Sequence, residues 1–197
     1  MTAENLVVAI DPGHGGRTGC RTRDESLWED DYVLAQALEL RTLIQLAQWP
    51  VTPVLLRYGP DVCPSHAQRE ASAQAAGYHL LISLHCDSVV QEYAHGGRAF
   101  FWPGNEIGEA VAHVIADAYP DEIGAIATPA DLGWSRVRNV LGAHEHTAVL
   151  LEQGFLSNAH DSEQLQRESI KAGIQLAVLA GVARFWHVFE ASRLRAA

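Results

Sequence analysis

A chain of 197 residues, 48% of them hydrophobic, suits one domain and can build a sizeable core without disulfide staples. Its net charge of −10 argues against nucleic acid as a partner, because such binding rests on Lys and Arg neutralising phosphates, and it gives no charge attraction to an anionic surface. Three cysteines, Cys20, Cys63 and Cys86, at spacings that match no zinc-finger or CxxC pattern, argue against a disulfide framework and fit synthesis in a reducing compartment.

The first ten residues, MTAENLVVAI, lack a basic n-region and a long apolar stretch, so no signal peptide is expected and the chain reads as cytoplasmic on synthesis. No apolar stretch is expected to reach the length of a membrane span, so no membrane insertion is expected. Residues 6–10 form the first apolar run of strand length. They lead into DPGHGG, where Asp11 and His14 stand in a loop fenced by glycines. Val33, Ala37, Leu40, Ile44 and Ala47 then share one face at spacings of four and three, which predicts a helix. A second strand is expected at 51–56. A second helix opens at Pro64-Ser65, where Gln68 completes a capping box, and ends at Gly77. Further strands are expected at 79–84, 97–102 and 147–151, and a third helix at about 106–118, closed by Pro120. The stretch 121–146 reads as a long irregular loop. The last helix is expected from about Asp161 to Phe189 with one break. Strands alternating with helices predict an α/β fold: a mostly parallel sheet with helices on both faces, in a single domain over residues 1–197 with its core at about 5–190.

In open α/β sheets, ligands bind beyond the carboxyl ends of the strands. His14 follows the first strand, His85 follows the third in ISLHCDS, and Glu152 follows the last in VLLEQGFLSN. Glu29 opens the apolar stripe of the first helix, where a carboxylate points coreward and needs a partner. Two imidazoles and one carboxylate, with a fourth position left to water, form a common catalytic zinc set. A remaining carboxylate, Glu152, then suits a general base. Bland readings stand beside each of these. Taken alone, the histidines read more readily as hydrogen-bonded loop residues, Glu29 as a first-turn acid complementing the helix dipole, and Glu152 as the ion-pair partner of Arg138 or Arg57.

The motifs taken together resemble the zinc-dependent N-acetylmuramoyl-L-alanine amidases of the amidase 3 type, over about residues 7–189. IDPGHGG is similar to the block with the first zinc histidine, here His14. WEDDYVLAQAL is similar to the block with the zinc glutamate, here Glu29. VLLRYGPDVCPSHAQREASA matches a segment with two arginines, here Arg57 and Arg69. LLISLHCDS resembles the block with the second zinc histidine, here His85, and LLEQGFLSN the block with the catalytic glutamate, here Glu152. The resemblance implies a twisted six-stranded sheet, one zinc ion (Zn²⁺), and hydrolysis of the amide between N-acetylmuramic acid and L-alanine in peptidoglycan. It also implies a role in cell-wall lysis or remodelling after release from the cytosol, as an endolysin of a phage or prophage or as a bacterial enzyme.

Some positions depart from the family pattern. Cys86 and Asp87 replace a small residue and an asparagine after His85, and the proline often found before the last strand is missing at His146 or Thr147. Cys86, as the strand neighbour of His85, is expected on the opposite face. His144 and His146 form a His-x-His that reads as loop, cleft lining or metal ligand. Asp11 is expected to tie down its loop or orient His14. No separate wall-binding domain is visible. The rival readings are a zinc peptidase acting on another bond of the peptidoglycan peptides and a wall-binding module without catalysis.

Overall fold

The computed structural model describes residues 5–91, 93–130 and 146–196. Six strands form one sheet: β1 (Leu6–Pro12), β2 (Val51–Leu55), β3 (Leu80–Asp87), β4 (Gly97–Phe101), β5 (Ala125–Pro129) and β6 (Thr147–Phe155). Their order is β2-β1-β3-β6-β4-β5. Every neighbouring pair is parallel except β4 and β6, which run antiparallel, so β4 and β5 are reversed relative to the other four strands. The sheet is therefore mixed but mostly parallel, as expected. β5 lies in the stretch read from sequence as irregular loop; its five residues, Ala-Ile-Ala-Thr-Pro, are too short and too weakly alternating to stand out. Residues 131–145, which include Arg138 and His144, lie outside the described residues.

Five helices are described: α1 (Glu29–Leu46), α2 (His66–Ala75), α3 (Glu106–Asp117), α4 (Ala159–Gln164) and α5 (Glu168–Ala196). Ser65 caps α2 through the capping box foreseen with Gln68. Asn158 caps α4 through its side-chain oxygen, and the expected break in the last helix falls between α4 and α5. α5 is long and apolar enough to cross a membrane by length and composition, contrary to the sequence expectation. Its apolar residues have another use here: Ile170, Ile174, Ala177, Val178, Val182 and Phe185 are all buried in the core.

Alternation along the strands splits the core in two. Leu80, Ile82, Leu84 and Cys86 of β3, with Val149 and Leu151 of β6, pack under α1, α3 and α5 in the larger cluster. The intervening residues Leu81, Ala148 and Leu150 join a smaller cluster on the other face, covered in part by Ala73 of α2. His85 and Glu152 belong by parity to this face, which is thinly covered among the described residues.

Candidate metal centre

β3 and β6 run further than their apolar runs indicate, so His85 and Glu152 lie inside strands and not beyond their ends. His85 pairs in register with Glu152, and Glu152 pairs on its other side with Arg98 of β4. Just past His85 the register of β3 against β6 shifts, marking a bulge between His85 and Asp87. On the other side of β3 the pairing with β1 ends at Pro12 and Leu84, so the Cys86 N–H lies beyond that ladder. It donates instead to Glu29 Oε1 at 3.0 Å.

Glu29 reaches this point from the first turn of α1 and is buried. The Cys20 N–H donates to Oε2 at 2.9 Å, so a backbone amide holds each oxygen of the carboxylate. Both imidazoles converge on Oε1: His14 Nε2 at 3.2 Å and His85 Nδ1 at 3.1 Å. Burial raises the Glu29 pKa, but the hydrogen bonds and charges of the two histidines outweigh it and hold the carboxylate well below its usual range. The donor atoms of His14, Glu29 and His85 all lie within 4.8 Å of one another. Bonds of about 2.0–2.1 Å in a tetrahedral zinc site place neighbouring ligand atoms about 3.3 Å apart. The observed 3.1 and 3.2 Å separations, and a His₂Glu donor set, fit that ion.

His14 sits in the left-handed region at φ 54°, uncommon for a residue with a side chain. Two guanidinium groups hold this turn. Arg57, buried at the end of β2, donates to the carbonyls of Pro12, Gly13, Asp30 and Gly59. Arg69 of α2 donates to the carbonyls of Pro12, His14 and Pro64 and is ion-paired with Asp11. Asp11 is fixed in turn by Ser83 Oγ at 2.9 Å. Asp11 thus ties down the loop through Arg69 and does not touch the His14 ring. Arg57 is occupied by backbone carbonyls and is not the partner of Glu152. Gly13 is required by close approach, since a Cβ there would lie 2.2 Å from Cε1 of His85.

The side chain of Cys86 lies in the larger core cluster, on the face opposite His85, and burial raises its thiol pKa far above the ordinary value. Its backbone, not its thiol, serves the site, so the departure from a small residue leaves this contact intact. Asp87 Oδ1 accepts from the Ser88 N–H, and burial raises its pKa. His146 lies against the ring of Tyr78 at the other end of β6, roughly 20 Å along the strand from Glu152. It is outside the metal group formed by the described residues. Sequence reasoning missed the amides of Cys20 and Cys86, which carry no side-chain signature. It also missed Arg98, which comes to the site only because β4 runs antiparallel to β6.

The family model described as N-acetylmuramoyl-L-alanine amidase matches residues 8–184. The chain is 30% identical over 186 residues to the N-acetylmuramoyl-L-alanine amidase CwlM of Bacillus licheniformis, covering 92% of this chain and 69% of that protein. It is 28% identical over 191 residues to the amidase CwlM of Mycobacterium tuberculosis, of which it spans 45%. Among solved structures, the catalytic domain of the amidase CwlV from Bacillus (Paenibacillus) polymyxa var. colistinus superposes with a TM-score of 0.79 at 23% identity, over 93% of this chain and 99% of that one. This last likeness concerns the fold.

Proposed function

Because the chain belongs to the N-acetylmuramoyl-L-alanine amidase family, hydrolases of the amide between N-acetylmuramic acid and L-alanine in peptidoglycan, we propose that it works with one zinc ion held by His14, Glu29 and His85 and with Glu152 as general base. The observation that carries this reading is the convergence of the His14 and His85 ring nitrogens on one buried, doubly anchored carboxylate, with Glu152 in register beside His85. When bound there, the ion supplies Lewis acidity toward a water and the amide carbonyl. Glu152 takes a proton from the attacking water and delivers it to the alanine nitrogen as the amide bond breaks. Arg57 and Arg69 hold the His14 turn, so the imidazole is positioned before substrate arrives.

The test is mass spectrometry of stem peptides released from purified peptidoglycan by wild type and Glu152→Gln, with and without a chelator and zinc re-addition. Peptides with a free N-terminal alanine, lost on chelation and in the variant, support the reading. Zinc-dependent cleavage at another bond replaces it with the peptidase alternative, and binding without cleavage replaces it with the wall-binding module. We read the biological setting as wall lysis after release from the cytosol, in the manner of an endolysin. Expression in the cytosol tests this: lysis that needs a co-expressed holin supports it, and lysis that does not need one counts against it.

A further inference from the structure

Arg98 is a cation in register beside Glu152, and its charge also acts on Asp87, whose pKa it lowers against the effect of burial. The registers His85–Glu152 and Glu152–Arg98 place three side chains in one row on the thinly covered face, one strand spacing of about 4.8 Å apart. That register is pinned. Asp161 Oδ2 accepts from the Gly96 N–H at 2.8 Å and from the Phe155 N–H at 2.9 Å, tying the start of β4 to the end of β6. The Arg98 guanidinium lies over the Phe155 ring, 5.2 Å from its centre. Phe155 is buried, so the ring is a fixed platform for the cation. Among the described residues the guanidinium makes no ion pair within 4 Å and no hydrogen bond, and it is only partly buried. Arg57 and Arg69 differ: each of their guanidiniums is taken up by backbone carbonyls or by Asp11.

A guanidinium fork held on an aromatic ring, with its N–H donors directed to no acceptor among the described residues, is suited to a planar carboxylate. We infer that Arg98 binds a carboxylate of the stem peptide, on the peptide side of the scissile amide. This inference rests on the amidase reading above. It selects the peptide over the glycan because, before cleavage, the muramoyl carboxyl is tied up in the amide and the sugar hydroxyls and acetamides are neutral.

The test uses two muropeptides identical except that the second residue of the stem carries a free α-carboxylate or its amide. Wild type is expected to favour the free acid by about tenfold in kcat/KM, through KM. Arg98→Gln is expected to remove the preference, so that acid and amide give the same KM, while Arg98→Lys keeps part of it. Arg98→Met, which retains packing on Phe155, replaces the Gln variant if that one fails to fold. Binding of the same two substrates to Glu152→Gln, measured by calorimetry, is expected to show the same ratio and to lose it when Arg98 is also changed. Equal cleavage of both by wild type, or a preference that survives the loss of the guanidinium, overturns the assignment and leaves the amidase reading standing. Failure to cleave either substrate overturns the amidase reading itself, and this inference with it.

Discussion

On one face of the sheet, Ile82, Leu84, Val149 and Leu151 meet α1, α3 and α5. On the other, among the described residues, Leu81, Ala148 and Leu150 of the same strands join a smaller cluster with Ala73 of a ten-residue helix, and Ser83, His85 and Glu152 share that face. A strand turns successive side chains to opposite faces, so two neighbouring residues can serve unrelated ends. The sealed face buries apolar surface and supplies most of the hydrophobic stabilisation. The open face carries buried polar groups that cost free energy unless each finds a partner. Around the His14 turn Arg57 and Arg69 supply many of these partners, together contacting a run of carbonyls and Asp11. Stability and chemistry are therefore assigned to alternate residues of the same two strands, and substitutions should separate them.

The largest separation is expected from Glu152→Gln on the open face. It should lower kcat by about 10²–10⁴-fold, the usual worth of a positioned proton-transfer group, with the melting temperature unchanged. An unfolding midpoint that falls along with activity would place Glu152 among the structural residues. Next comes Ile82→Ala on the sealed face, expected to cost about 2–5 kcal/mol in urea denaturation with kcat per folded molecule preserved. A loss of turnover in the folded fraction would break the division between the faces.

Arg57→Met crosses the division, because Arg57 is buried yet holds the site. It strands carbonyls of Pro12, Gly13 and Asp30 in the interior, at about 1–3 kcal/mol. It should also weaken zinc binding by about 10–100-fold in a competition titration, as loss of a partner that orients a ligand does. Unchanged zinc affinity would show that the His14 turn holds without its cradle. The smallest effect is expected at Asp24, exposed in the loop before α1 and away from both faces. Hydrogen bonds from the Thr22 and Ser26 side chains lower its pKa to about 2. A carboxyl whose folded pKa is depressed stabilises above its unfolded value of about 4 and loses that contribution as pH falls through the folded value. The melting-temperature gap between wild type and Asp24→Asn should therefore be present above about pH 4 and close as pH falls toward 2. A gap independent of pH would assign it to lost packing and not to the charge.

Local patterns were legible because they depend on neighbours in the chain. The apolar runs of five strands, the stripe of α1, the capping box of α2 and the break before α5 all follow from periodicity and capping, which need no tertiary context. His14, Glu29, His85 and Glu152 were nameable as a group because the ordered motifs resemble those of a known family, and the opposite placement of Cys86 followed from strand alternation alone. Long-range pairing decided the rest. The reversal of β4 and β5, the end of β1 that leaves the Cys86 amide to Glu29 and the register that sets Arg98 opposite Glu152 each depend on partners dozens of residues away. Arg57 and Arg69 show the same limit. Sequence marks two arginines in a polar stretch, but only the approach of β2 and α2 to the His14 turn makes their guanidiniums the supports of its carbonyls. The physical reason is that residue type and spacing set which face a side chain occupies, whereas its partner is set by contacts whose free energy exists only once distant segments have come together.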